Sequence, residues 1–266
     1  MTIDEEAPKG VTARLANSFG AEAARYDRTR PAYPGSLIDK LVAASPGTRV
    51  AEVGCGTGVL SRQLLAAGLD VVGVEHDERM AAFARTTGVD VEVAKFEAWD
   101  PAGREFDAVV AGQSWHWVDA EAGPVHAARV LRPGGVFVGL WHVFGTPEAI
   151  ADAFVAAYDK VAPQMTHRVG HSYREAYDSY QAGCVRTADA LVATGAFGAV
   201  EYWEAHWERD YTTAEYLDLM LTMSPMAMIS PEQITELLDD VGVAIDALGG
   251  SFTTRYSTLA VAVTRN

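Results

Sequence analysis

The chain predicts an α/β fold: a doubly wound, mostly parallel sheet with helices on both faces. Three observations carry that prediction. Short apolar runs alternate with amphipathic helical stretches. A glycine-rich turn joins the first run to the first following helix, and an acidic residue closes the second run.

The elements follow in order. Arg49–Gly54, Val71–Glu75, Val89–Ala94, Phe106–Gly112 and Val136–Val143 are short, rich in β-branched or aromatic residues and bounded by turn formers, which predicts strands. Between them, Val59–Ala67, Asp77–Thr86 and Asp119–Leu131 predict helices. The second opens on an acidic cap, and the third stops at Arg132-Pro133-Gly134-Gly135. The connection from Lys95 to Glu105 has no period and predicts irregular structure. Beyond residue 145, Pro147–Ala162, Arg186–Gly195, Thr213–Met223 and Pro231–Leu248 predict helices, and the alternations Val200–Tyr211 and Phe252–Thr264 predict strands. Ahead of the first strand, Phe19, Tyr26, Pro31, Tyr33 and Pro34 surround a helix starting near Ser36 and imply an ordered segment, with the first ten residues loose.

Composition narrows the function classes. A formal net charge of −15 over 266 residues, with no basic run, argues against a nucleic-acid partner. The two cysteines, Cys55 and Cys184, have neither disulfide nor zinc spacing, and no metal site is expected. No apolar stretch approaches the roughly 18 residues of a membrane span and no leader pattern is read, so a cytoplasmic protein, monomeric or homodimeric, is expected.

Gly54, Gly56 and Gly58 sit where a strand turns into a helix, a context in which glycine supplies positive φ and exposes backbone to a ligand. The dinucleotide pattern G-x-G-x-x-G is not met, because Val59 stands where it requires glycine. Glu75 follows 17 residues after Gly58, at a strand end suited to accept hydrogen bonds from a ribose diol. Glu52 adds a second acid, and an acidic cleft suits a ligand with cationic groups.

Val50-Ala51-Glu52-Val53-Gly54-Cys55-Gly56-Thr57-Gly58 resembles the first motif of class I S-adenosylmethionine-dependent methyltransferases. Glu75, Phe106-Asp107-Ala108-Val109-Val110 and Val130-Leu131-Arg132-Pro133-Gly134-Gly135 resemble later motifs in the same order. The resemblance covers about residues 15 to 145. It implies a Rossmann-like, seven-stranded sheet with an antiparallel last strand, helical N-terminal and C-terminal cap elements, and S-adenosyl-L-methionine as cofactor. By carry-over, Glu52 and the Gly54–Gly58 loop meet the amino-acid end of the cofactor and Glu75 the ribose. Met80 and Phe96 pack on adenine, Glu97 meets its amino group, and His76 and Gln113 lie beside the cofactor. The implied organisation is a lid segment at 1–35, a cofactor-binding core at 36–146, and cap insertions with the remaining strands at 147–266.

Gln113-Ser114-Trp115-His116-Trp117 resembles a segment of small-molecule methyltransferases similar to trans-aconitate methyltransferase. His116 is the candidate base or orienting group, with a space-filling ring as the alternative. Trp115, His142, Tyr33 and Met223 are candidates for the acceptor site. The last of these lies in a methionine-rich stretch, Met220, Met223, Met226 and Met228, that reads equally as core. Tyr26 is the candidate for facing the sulfonium, or it packs as core. The expected activity is methyl transfer to a small-molecule acceptor. The rivals are a silent S-adenosylmethionine-binding module and, further off, a nicotinamide-dependent oxidoreductase, for which no Tyr-x-x-x-Lys pair exists.

Overall fold

A computed structural model describes residues 22–168 and 172–266; Phe19 and the first ten residues fall outside them. Seven strands form one sheet in the order β3-β2-β1-β4-β5-β7-β6. They are β1 (Arg49–Val53), β2 (Asp70–Glu75), β3 (Asp90–Val93), β4 (Phe106–Gly112), β5 (Leu131–Gly145), β6 (Phe197–Thr212) and β7 (Ser251–Arg265). The pairs β1/β2, β1/β4, β2/β3 and β4/β5 are parallel, and the last strands run antiparallel. The helices are α1 (Ala23–Thr29), α2 (Gly35–Ala44), α3 (Val59–Ala66), α4 (Glu78–Thr86), α5 (Ala122–Val130), α6 (Glu148–Val161), α7 (Tyr173–Ala193), α8 (Thr213–Met220) and α9 (Pro231–Ala247). The predicted doubly wound sheet is the observed fold.

The chain divides into two compact units. One comprises Pro31–His142, Tyr180–Ala205 and Thr258–Asn266. Its central strands β1 and β4 are buried on both faces: in β4 every residue from Phe106 to Ala111 is buried. Val50, Val71, Ala108, Val110, Val136 and Val138 meet Leu37, Ile38 and Leu41 of α2 and Leu60 and Leu64 of α3. On the other side, Val89 and Val91 pack with Cys55 and with Ala81 and Ala84 of α4. The second unit comprises the described residues up to Arg30, with Val143–Ser179 and His206–Ser257. Its own core joins Ile150 and Tyr158 of α6, Tyr216 and Met220 of α8, Leu237, Val241 and Ile245 of α9, and Tyr211, Phe252 and Tyr256 of its strands.

Three elements depart from the sequence reading. β5 begins at Leu131, before the predicted turn: Leu131 pairs with Phe106, the ladder shifts, and Val136 pairs with Ala108. Pro133 offers no N–H and Gly134 has φ +78°, so the turn loops out of the ladder without ending it. α7 spans 21 residues, yet its buried residues start only at Gly183. Its first half has no buried residue and only a tyrosine-rich face, Tyr173, Tyr177 and Tyr180, a weaker signal than an aliphatic stripe, which is why periodicity located only the second. α1 was not read at all; it is held by ion pairs from Arg25 and Arg28 to Asp218 of α8, at 2.8 and 2.6 Å.

At the turn after β1, Gly54 has φ +60°, and a Cβ there would lie 2.6 Å from the Ser114 Cβ. Substitution Gly54→Ala therefore combines a left-handed alanine with a collision and should cost about 2 kcal/mol or more. Urea unfolding checks this, with a lowered midpoint and unchanged slope expected.

Candidate functional site

The turn from β1 into α3 satisfies its backbone from both flanks. Gly54 N–H donates to Val74 O at 2.7 Å, Gly58 N–H to Cys55 O at 2.9 Å, and Gly56 N–H to the Glu75 carboxylate at 2.9 Å. Gly54, Gly56 and Gly58 all have positive φ, and Gly58 is the N-cap of α3. Sequence-distant Met80, on α4, closes over the loop: its Cε lies 3.8 Å from where a Gly56 Cβ would sit. Arg62 of α3 donates to Thr57 O at 2.9 Å.

Glu75, at the end of β2, is buried. Its Oε2 accepts from Gly56 N–H at 2.9 Å, its Oε1 accepts from Asp77 N–H at 2.8 Å, and the His76 ring lies 3.0 Å from Oε1. One carboxylate thus joins the glycine loop to the start of α4, where Asp77 caps by accepting from Arg79 N–H. A carboxylate offers about four lone-pair sites, so acceptor capacity remains for a ligand. The hydrogen bond to Glu75 raises the His76 pKa, against burial.

Glu52 behaves differently. Its carboxyl is 2% exposed and accepts from the Ser61 hydroxyl of α3. Burial, reinforced by the charge on Glu75 and only partly offset by Ser61 and Arg62, pushes its pKa up to about 8. Near neutral pH Glu52 is therefore largely protonated, held against α3.

At the end of β4, Gln113 adopts φ +55°, a left-handed conformation for a non-glycine residue. Its Nε2 donates to His142 O at 3.3 Å, while its buried Oε1 has no partner among the described residues. Tyr33 stacks on the His142 ring at 4.4 Å, and a Cβ at Gly112 would lie 2.6 Å from the Tyr33 hydroxyl. Gln63 of α3 fixes the Tyr33 backbone twice, accepting from its N–H and donating to its carbonyl, both at 2.8 Å. His142 is further held by Thr258, Nδ1 to Oγ1 2.8 Å.

The Trp115–Trp117 segment is a 3-10 turn. His116 packs against Trp117 at 4.8 Å; its Nδ1 is buried without a partner among the described residues, and burial drops its pKa to about 4. Trp115 points instead into an aromatic row, 4.5 Å from Phe137 and 5.9 Å from Phe96, which in turn meets the His126 ring edge-on at 4.8 Å. Glu97 is half-buried in the 3-10 turn Phe96–Ala98.

The structure accordingly brings together Gly54, Gly56, Gly58, Glu75, His76 and Met80 around one turn, and Tyr33, Gln113 and His142 around another. Phe96 and Trp115 share a packed aromatic row, and Glu52 sits under α3. Tyr26 and Met223 lie in the other compact unit, Tyr26 under the Arg30 guanidinium at 4.5 Å and Met223 against that unit's core. Sequence reasoning passed over Ser61, Gln63, Thr57 and Ser114. Their one signal is position: Ser61 is fully buried one turn into an apolar helix face, and the buried Thr57 hydroxyl has no partner among the described residues.

The two perturbed groups fix a pH response. A buried acid with its native pKa near 8 keeps its proton in the folded state, so stability falls as pH rises from the unfolded value to about 8. His116, with its pKa depressed, gives the opposite slope, but only between about 4 and 6.5. Between pH 6.5 and 8 the Glu52 contribution is uncompensated by His116. Thermal melts of Glu52→Gln against the parent chain should show the variant losing up to about 2 kcal/mol less stability over that window; identical pH slopes would contradict the buried, protonated state.

A family profile described as "Methyltransferase domain" matches residues 50–135. An uncharacterized methyltransferase of Mycobacterium tuberculosis is 38% identical over 130 residues, 47% of this chain and 52% of the relative. A ubiquinone biosynthesis O-methyltransferase of Sinorhizobium fredii is 33% identical over 132 residues, 46% of this chain and 52% of the relative. The chain spans about half the length of the curated relatives it matches. A methyltransferase structure from Anaeromyxobacter dehalogenans superposes with TM-score 0.60 at 22% identity, covering 88% of this chain and 97% of that one, and so shares the fold. Residues 50–135 therefore match a methyltransferase domain, and the chain shares its fold with that methyltransferase structure.

Proposed function

We propose that the protein transfers a methyl group from S-adenosyl-L-methionine to a small-molecule acceptor. The observation that carries this reading is the Glu75 bridge: a buried carboxylate at a strand end, tied to a glycine turn with three positive-φ residues. The residues fit the cofactor. Gly56 leaves a cradle that a side chain would fill, and the buried Thr57 Oγ1 and Gln113 Oε1 atoms lack partners among the described residues. The backbone of Gly54–Gly58 with Glu75, Met80 and Gln113 would hold it, with Phe96 and Glu97 on the adenine side. When bound, the cofactor supplies an activated methyl group on a sulfonium. The chain's part is to bind and align; proximity and orientation alone account for on the order of 7–11 kcal/mol of such a barrier.

His116 then orients the acceptor through a neutral ring nitrogen. With its pKa near 4 it is a weak base but an uncharged hydrogen-bond acceptor throughout the physiological range. The Tyr33–His142 stack beside Gln113 forms a second wall, fixed from both sides by Gln63 and Thr258. The Sinorhizobium relative is an O-methyltransferase, which makes oxygen acceptors the first class to test. The formal charge of −15 disfavours nucleic acid as the acceptor, and no helix among the described residues is long and apolar enough to cross a membrane.

The test is calorimetric titration with S-adenosylhomocysteine, followed by transfer of labelled methyl to a panel of acids, phenols and amines. Saturable binding and label transfer are expected; absence of both overturns the proposal, and binding without transfer to any acceptor favours a silent module. Glu75→Ala should weaken binding by about 1–3 kcal/mol, the range for a hydrogen bond to a charged group, and an unchanged dissociation constant counts against its role. With whichever acceptor is methylated, His116→Phe should lower kcat/KM by about 10²-fold, the low end of the range for a proton-handling group. The parent's pH profile should be flat in its His116 limb from pH 6 to 8, and undiminished turnover in the variant reduces His116 to packing.

A further inference from the structure

The unit that comprises α6, α8, α9 and the ends of β6 and β7 contains two guanidiniums that its packing does not explain. In β6, Trp203, Ala205, Trp207, Arg209 and Tyr211 alternate with exposed residues, so Arg209 occupies a position on the inward, otherwise apolar face. Arg209 lies over the Tyr211 ring at 4.6 Å and donates one hydrogen bond, to Thr29 O at 3.3 Å. Arg30 lies over Tyr26 at 4.5 Å and donates to Thr222 O. Its Nε is buried with no hydrogen-bond partner among the described residues. Asp218 is taken by Arg25 and Arg28, and Glu215, exposed and close enough to feel the Arg209 charge, spends its carboxylate on Thr212. Among the described residues neither Arg30 nor Arg209 has a carboxylate within ion-pair distance, in a chain with 36 acids and 21 lysines and arginines.

Further hydrogen-bonding groups stand at the same place. The Tyr211 and Tyr256 hydroxyls are 2.6 Å apart, and both arginine charges act on Tyr211 against the burial that raises its pKa. Thr254, on the same side of β7 as Phe252 and Tyr256, is fully buried with its hydroxyl unpartnered among the described residues. Trp207 stacks on Tyr256 at 4.1 Å, and Phe144, 5.7 Å from Tyr256, is 39% exposed, so the surroundings are aromatic. Each guanidinium has five N–H donors and spends one of them on a carbonyl. A desolvated charge with spare donors and no counter-ion is costly unless an anion completes it. If the two arginines served only to fasten Thr29 and Thr222, one neutral donor at each position would do.

We propose that Arg30 and Arg209, with the Tyr211 hydroxyl, form a binding site for the carboxylate of a small molecule with an apolar or aromatic body. The site stands by itself as a binding site; that its ligand is the methyl acceptor rests on the methyl-transfer reading above.

The experiment titrates the full chain, preloaded with S-adenosylhomocysteine, with matched acid and amide pairs: phenylacetate against phenylacetamide, and hexanoate against hexanamide. At least one acid should bind about tenfold or more tighter than its amide, as a charge-assisted contact requires. Arg209→Gln and Arg30→Gln should each remove most of that preference, and Arg209→Lys should retain part of it as a point charge. Their S-adenosylhomocysteine affinity should stay at the parent value. Equal binding of acid and amide, no saturable binding of any acid, or a preference that survives in both glutamine variants each overturns the site. Thermal melts identify a variant that has merely unfolded, in which case Arg209→Lys alone decides. Loss of S-adenosylhomocysteine binding in the parent chain would sink the methyltransferase reading without touching the acid-over-amide comparison, which is then run without preloading.

Discussion

The structure around the glycine turn depends on one carboxylate. Glu75 accepts from Gly56 on one side and from Asp77 on the other, so the exit of β2, the loop after β1 and the entry to α4 are positioned by the same two oxygens. A turn with three residues at positive φ has no regular ladder to satisfy its amides. Glu75 supplies the acceptor that sequence-local structure cannot. It also sets a constraint: a ligand that approaches the loop meets a carboxylate already oriented, because its rotamer is fixed by backbone donors before anything binds.

The contrast with Glu52 shows how surroundings separate two chemically similar acids on neighbouring strands. Glu75 has two backbone N–H donors and an imidazole beside it; Glu52 has one hydroxyl and complete burial. Complete burial, reinforced by the neighbouring Glu75, leaves Glu52 holding its proton. The sequence reading placed both acids toward the ligand, because pattern alone locates a carboxylate on a strand but not which neighbours stabilise its charge. Ser61, whose hydroxyl meets Glu52, looked like an ordinary polar residue in an amphipathic helix.

Much of the sheet was legible because buried parallel strands leave a local trace: β4 was read from Phe106 to Gly112, its observed span, since apart from Asp107 its interior is apolar and glycines at 103 and 112 bound the run. α1 and the first half of α7 left weaker ones. The former relies on Asp218, 190 residues away from Arg28, and the latter has a tyrosine-rich face but no fully buried side chain. At the site, the loop and Glu75 were visible as a motif, and Tyr33 and His142 were separate suspicions whose stacking no spacing could foretell. Trp115 illustrates the reverse difficulty. Just after a strand end and beside His116, its position suits a cleft rim, but only the fold reveals that Phe137 of β5 packs against it and takes it into the core.

The strong negative charge of the chain and a carboxylate-binding pair of arginines are compatible on grounds of range. At physiological ionic strength a surface charge is screened beyond about 8 Å, so a net −15 governs encounters with extended polyanions and says little about one carboxylate in contact with a guanidinium. Contact decides there, and Arg209 and Arg30 lie over tyrosine rings and donate to carbonyls, with no ion pair among the described residues. The same logic runs the other way at the glycine loop, where Glu52 and Glu75 act on each other at short range and the cheapest resolution is a bound proton or a cationic ligand. Bulk charge therefore bears on encounters with extended polyanions, while the sign of each small ligand is chosen by the few groups that lose their water to meet it.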